Sequence, residues 1–328
     1  MKILVIGDFH YKKMMYPPTI SNLSYMLNEA SDCDIIIHTG DFCNDYLHSP
    51  ELITRLMADG RDYFGVYGNH ELETVGNTMR VVTPLLTNAH DKVVFGTTDG
   101  KNTDGSIGYY YCDREGYRFI FLDCNYSLTP HGEWEHNREA SWGPPSENLC
   151  YNALGAAQVE WLEKILIEAS DLKLKCIVIT HAAIYIEDER ESLIFEAEQV
   201  RQILSRVNSK RQGTVIACIN GHYHTSSRSE LDGVIYLNCP AAINAYWTAT
   251  KFFPYAEKDV SSPQYLFDYE EYDSEGNLIE VRPVSYSELS MGSQSLFYKD
   301  PIYTVLTLNG SEITEKTSSA ELAYGISY

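Results

Sequence analysis

Apolar and polar positions along this chain repeat one unit. A short run of Ile, Val and aromatic residues ends, and polar residues of metal-binding type follow at once. KILVI runs into Gly7-Asp8-Phe9-His10, DIIIHT into Gly40-Asp41, and YFGVY into Gly68-Asn69-His70-Glu71. Later, CIVIT precedes His181 and VIACIN precedes Gly221-His222-Tyr223-His224. Near-continuous apolar runs of this length fit strands buried on both faces. Between them, apolar residues at three and four spacing predict helices over Ile20 to Ala30, Ala156 to Ala169 and Ser192 to Val207. The alternation predicts an α/β layered fold, in which sites gather at the carboxyl edges of strands.

Gly7, Gly40, Gly68 and Gly221 each stand immediately before a candidate ligand, where a strand must turn sharply and backbone must pass close to a crowded site. His222 and His224 are two residues apart, and on an extended segment such residues point the same way, which lets both reach one site. Any one of these features alone fits an ordinary turn or strand end. The five segments together fit a single metal site.

Composition narrows the class of substrate. With 328 residues, 44% of them hydrophobic, the chain can bury a sizeable core. Its 46 acidic and 25 basic residues give a formal charge of -21, which argues against a polyanion-binding surface and against an anionic membrane face. No nucleic acid polymer and no membrane is therefore expected as a partner. A small phosphorylated substrate needs locally fixed cations, and bound metal ions supply them. The eight cysteines are scattered with no CxxC, which reads as reduced thiols rather than a disulfide frame or a zinc knuckle. No apolar segment approaches a membrane span, and the start MKILVIGDFH lacks the form of a secretory signal; a cytoplasmic protein is expected.

The series GDFH, GDF, GNHE, VITH and GHYH resembles the calcineurin-like metallophosphoesterases, from residue 1 to roughly 245. The resemblance implies a four-layer αββα sandwich of two mixed sheets around a dinuclear metal centre. It implies that Asp8, His10 and His224 hold one metal, that Asn69, His181 and His222 hold the other, and that Asp41 bridges them. His70 matches the family's non-ligand histidine beside the centre and becomes the catalytic acid; Glu71 matches the acidic residue after it. Imidazole, carboxylate and amide donors suit two divalent or di-/trivalent transition-metal ions such as Mn, Fe or Zn. Such a pair lowers the pKa of a shared water, so the expected reaction is attack of a metal-bridging hydroxide on a phosphoester, with His70 protonating the leaving oxygen.

Departures from sister groups refine the expectation. Asn44 stands where purple acid phosphatases carry a tyrosine ligand, and the Asp-Arg-Gly of serine/threonine protein phosphatases is absent after Asp41. FLDCNYSL (121 to 128) and YNALGAAQVEWLEKIL (151 to 166) resemble segments of cyclic-nucleotide phosphodiesterases and of ADP-ribose and CDP-alcohol diphosphatases. A phosphodiesterase or pyrophosphatase acting on a small nucleotide-type substrate is thus expected. A phosphomonoesterase or phosphoprotein phosphatase is the alternative, and a non-catalytic binding scaffold the more distant one. The stretch from 129 to 150 reads as a long polar loop whose Trp134 or Trp142 either stacks on a base or packs on the domain. His38, inside an apolar strand, reads as a hydrogen-bonded core residue. Residues 246–328 read as a β-rich extension packed on a catalytic domain of residues 1–245, with strand pairs turning at Glu275-Gly276-Asn277 and Asn309-Gly310.

Overall fold

A computed structural model describes residues 1–11, 19–72, 78–96, 107–136, 150–187, 193–242, 244–246, 266–272, 278–285, 295–298, 300–318 and 322–325. The first large sheet holds β1 (Lys2–Ile6), β2 (Ile35–His38), β3 (Asp62–Gly65), β18 (Thr304–Asn309) and β19 (Glu312–Thr317), in the order β19-β18-β1-β2-β3. β1, β2 and β3 run parallel, and β18 joins β1 antiparallel.

The second large sheet is built from β4 (Val93–Phe95), β5 (Tyr110–Arg114), β6 (Tyr117–Phe121), β10 (Lys175–Ile179), β11 (Val215–Asn220), β12 (Ser227–Leu231) and β13 (Val234–Asn238). Its order is β12-β13-β11-β10-β6-β5-β4, with β6, β10, β11 and β13 parallel. β7 (Tyr126–Leu128), β8 (Trp134–His136) and β9 (Cys150–Ala153) form a small antiparallel sheet. β14 (Asn244–Tyr246), β17 (Ser295–Tyr298) and β20 (Leu322–Gly325) form another, and β15 (Leu266–Tyr272) pairs with β16 (Leu278–Ser285).

Strand alternation explains why the central strands are apolar except at their ends. Ile3 and Val5 of β1, with Ile35 and Ile37 of β2, face Phe119, Phe121, Ile177, Ile179 and Ile219 of the other sheet. Leu4, Ile6 and Ile36 face the opposite way, onto α1 (Ile20–Glu29) and α2 (Pro50–Asp59) through Leu23, Leu27, Leu52 and Leu56. In the second sheet Ile120, Val178 and Cys218 pack on α4 (Ala156–Asp171) and α5 (Ala197–Lys210). Each central strand is therefore covered on both sides. The layers are helix, sheet, sheet and helix, as the resemblance implied; a short α3 (Met79–Val82) adds Met79 and Val82 to the first helix layer.

Local chemistry sets the helix ends. Thr19 caps α1: its Oγ1 accepts from Asn22 N while Asn22 Oδ1 accepts from Thr19 N. α5 begins at Ala197, later than the periodicity predicts. Ile194 N and Phe195 N donate to Ala183 O and Asn152 O, and Glu196 spends its carboxylate on Leu154 N and Gly155 N. Those tertiary bonds hold the preceding residues out of the helix.

The stretch after Thr129 is not all loop: Trp134–His136 pairs with β7 as a hairpin. Trp134 packs edge-on against Phe195, with ring centroids 6.1 Å apart. Trp142 lies outside the described residues. Cys33, Cys43, Cys112, Cys124, Cys176, Cys218 and Cys239 are free and buried. No helix among the described residues is long and apolar enough to cross a membrane.

His38 is buried at the end of β2, stacked on Phe42, but its imidazole forms no hydrogen bond among the described residues. The expected bond is missing because its neighbours are a ring face and Gly65, whose lack of a side chain makes room for the imidazole. Burial, with His181 adding to it, lowers its pKa to about 3. The folded value lies below the unfolded one of about 6.5, so the unfolded state binds the proton first as pH falls. This contribution to stability is full above about pH 6.5 and is lost progressively down to about pH 3. Between pH 7 and pH 5 the loss should be about 2 kcal/mol. Urea unfolding of metal-stripped protein at both pH values checks this: the change with pH should shrink by about that amount in His38→Phe, and an equal change in both proteins would refute it.

Candidate metal centre

The parallel strands of both sheets end on one edge, and the loops leaving them meet. Ala242 N donates to Gly7 O across 2.8 Å, and His181 Nδ1 donates to Thr39 O across 2.8 Å. The first contact ties the loop after β1 to the segment after β13. The second ties the loop after β10 to the end of β2.

The turn glycines are needed for different reasons. Gly40 has φ +90°, in the left-handed region. Gly68 lies where any Cβ would collide with the carboxylate and backbone of Asp41. Asp8 (φ 36°), His10 (φ 54°), Asp41 (φ 49°), His222 (φ 72°) and His224 (φ 57°) also adopt positive φ. Such backbone costs about 1 to 3 kcal/mol per residue and clusters where function requires it. This corrects the strand-based reading of the two histidines. β11 ends at Asn220, so a tight turn rather than strand alternation aims His222 and His224. They reach different neighbours.

His224 Nε2 lies 3.2 Å from His10 Nε2 and 3.5 Å from Asp8 Oδ1. His222 Nδ1 lies 3.1 Å from His181 Nε2, which in turn is 3.0 Å from Asn69 Oδ1. Asp41 Oδ2 stands between the two groups, 3.3 Å from His181 Nε2, 3.8 Å from His10 Nε2 and 3.9 Å from His70 Nε2. All eight residues singled out from the sequence come together. Ligand atoms of Asp8, His10 and His224 lie within 4.8 Å of one another, as do those of Asp41, His181 and His222, and those of His10, Asp41 and His70.

The donor set fits transition metals. Ring nitrogens 3.1 and 3.2 Å apart match the spacing of two imidazoles on one ion, whose metal–nitrogen bonds are about 2.0–2.1 Å. Asp8, His10, Asp41, His181 and His224 are all buried. Burial opposes ionisation of Asp41, but His181, His70 and His10 outweigh it and hold the carboxyl well below the usual range. Burial raises Asp8 well above that range, and Asp41 adds to the shift. Burial likewise opposes charge on His181, yet Asp41 and then Asp8 hold its pKa well above that of an ordinary imidazole. Burial keeps His222 neutral, with a pKa of about 3. A surplus of acceptors thus surrounds His181 Nε2, which favours positive charge there.

The hydrogen bonds that shape the site are not marked in the sequence. Glu71 accepts hydrogen bonds from Gly68 N at 2.5 Å, Phe42 N at 2.6 Å and Asp41 N at 2.9 Å. One carboxylate therefore clasps two ligand loops, and burial followed by repulsion from Asp41 raises its pKa to about 7. Asn238 accepts from Asn220 Nδ2 at 2.6 Å and donates to Thr225 O at 2.5 Å, closing the turn that carries His222 and His224. GNHE pointed to Glu71 as a position, but nothing local in the sequence marks Asn238.

A family model for the calcineurin-like phosphoesterases matches residues 1–226, and the chain belongs to that family. It is thereby a metal-dependent phosphoester hydrolase of a dinuclear-metal class. A search of curated proteins finds no match. Among solved structures, a dimetal phosphatase from Danio rerio is similar in fold, at 13% identity and TM-score 0.54, covering 97% of this chain and 98% of that one. A phosphopantetheinyl hydrolase from Mycobacterium tuberculosis matches at 15% identity and TM-score 0.39, over 80% of this chain and 97% of its own. An archaeal phosphodiesterase matches at 13% identity and TM-score 0.34, over 87% and 99%.

Proposed function

We propose that the chain is a phosphodiesterase or pyrophosphatase acting on a small nucleotide-type substrate with two metal ions, Mn, Fe or Zn. Asp8, His10 and His224 hold one ion, Asn69, His181 and His222 the other, and Asp41 bridges them. The observation that carries this reading is the position of Asp41 Oδ2, within 3.8 Å of His10 Nε2 in one group and 3.3 Å of His181 Nε2 in the other. Bound ions supply the positive charge that attracts phosphoryl oxygens and lowers the pKa of a water to near neutrality.

The side chains do the rest. Asp41 damps the repulsion between two cations. His181 Nδ1 donates to Thr39 O, which leaves Nε2 to face an ion. His70, whose backbone N donates to Asp41 Oδ1 across 2.8 Å, gives a proton to the leaving oxygen. A net charge of -21 leaves attraction of the phosphate to the centre itself, which suits a small substrate. Residues 246–328 serve as an extension of the catalytic unit, and the seven free thiols buried among the described residues suit a reducing, cytoplasmic setting.

The test is hydrolysis of bis-p-nitrophenyl phosphate against p-nitrophenyl phosphate by metal-stripped protein resupplied with manganese. The diester should be cleaved about tenfold faster or more, a difference of roughly 1.4 kcal/mol. Faster monoester cleavage would refute the diester reading and favour the monoesterase alternative. Two bound ions with neither ester cleaved would favour the scaffold.

A further inference from the structure

Beyond the ligands, a buried polar chain leads from the β7–β8 hairpin to the turn that carries Asn69 and His70. Asp123, fully buried just past β6, accepts at Oδ2 from His136 Nε2 across 2.8 Å. Its Oδ1 accepts from Asn125 N at 3.0 Å and from Asn125 Nδ2 at 3.3 Å. The same Asn125 Nδ2 donates to Gly68 O across 3.1 Å. That carbonyl belongs to the peptide unit joining Gly68 to Asn69, so its orientation governs where the amide side chain of Asn69 begins.

The chain is built in from every side. Gln158 of α4 accepts from Asp123 N at 2.8 Å and donates to Asp123 O at 2.7 Å, fixing the aspartate's backbone. Gly108 faces Asp123 Oδ2 and the Tyr67 ring, where a Cβ would collide with both. The His136 ring is held edge-on by Tyr67 and Tyr126, at centroid distances of 5.9 and 4.9 Å. Burying a carboxylate is costly unless its oxygens are hydrogen-bonded, and here both are.

We propose that His136, Asp123 and Asn125 are positioning residues that lock the Gly68–Asn69 peptide, and through it the amide ligand of one metal site and the acid imidazole of His70. This inference rests on the two-metal reading. Glu71 already holds Gly68 N, and His70 N is held by Asp41. Asn125 supplies the third hold, on the carbonyl between them. With it gone, the peptide can rotate and withdraw Asn69 from His181, while Asp8 keeps its bonds from His222 N and His10 N keeps its bond to Asp41 O. The predicted damage is therefore selective for one of the two metal sites.

Calorimetric titration of manganese into metal-stripped protein tests this, with bis-p-nitrophenyl phosphate kinetics alongside. Wild type should take up two ions. His136→Phe, which keeps a ring but loses the donor, should weaken one site by about 10- to 100-fold, leave the other unchanged, and lower kcat more than it raises KM. His136→Gln can again donate to Asp123 and should recover both properties. If His136→Phe binds both ions as wild type does and turns over within about twofold of it, the inference is overturned, since a lost positioning contact costs tenfold or more. Equal weakening of both sites, or a glutamine variant as impaired as the phenylalanine one, would overturn it too by marking a general structural role. Should His136→Phe fail to fold, Asn125→Ala carries the same comparison. A wild-type protein that binds fewer than two ions would instead overturn the two-metal reading.

Discussion

Replacing Asp41 with Asn should remove paired metal binding and turnover together. The substitution keeps the size of the side chain, so loss is attributable to charge and not to a cavity. Asp41 stands against both candidate ligand groups, with Oδ2 near His181 and His10 and Oδ1 taking His70 N. A neutral amide neither damps repulsion between two cations nor bridges them well. Lewis-acid stabilisation of phosphoryl transfer supplies several kcal/mol, so turnover should fall on the order of 1000-fold or more. The checks are metal content of the purified variant by elemental analysis and kcat on the diester. Two ions retained with activity near wild type would refute the bridging assignment.

His70→Ala should separate binding from chemistry. Distance alone does not distinguish an acid from a ligand here, because His70 Nε2 lies 3.9 Å from Asp41 Oδ2 and His10 Nε2 lies 3.8 Å from it. The two roles have different consequences. Loss of an acid leaves both ions in place and slows the reaction by about 100-fold or more. The slowing should also depend on the leaving group: p-nitrophenolate leaves readily without a proton, whereas an alkyl leaving group needs one. The penalty should therefore be larger for an alkyl diester than for bis-p-nitrophenyl phosphate. A variant that loses one ion would place His70 among the ligands.

The hydrophobic pattern determined much of this molecule by itself. Burial on two covered faces forces strands such as KILVI and VIACIN to be apolar at all but one end residue, so the layered α/β order is legible in one dimension. The candidate ligands are legible for a related reason: a strand end has few positions that reach a common edge, and Asp8, Asp41, Asn69, His181 and His222 follow apolar runs closely. The same local logic misread the aim of His222 and His224. Their direction is set by left-handed backbone at φ 72° and 57°, which period-two reasoning on a strand does not contain.

Only the tertiary structure decided the supports. Glu71 clasps two loops from sequence-distant strands, and Asn125 reaches Gly68 across the space between the two sheets' edges. Asp123 and Asn125 of the stretch FLDCNYSL form hydrogen bonds to partners in β8 and the Gly68 turn. His38 looked like a polar core residue in need of a partner and instead lies against a ring face and a glycine. Burial along a strand is a local periodic property, so the sequence carries it. A hydrogen bond between residues far apart in the chain depends on two backbones meeting at about 3 Å, and only the packed sheets bring them there.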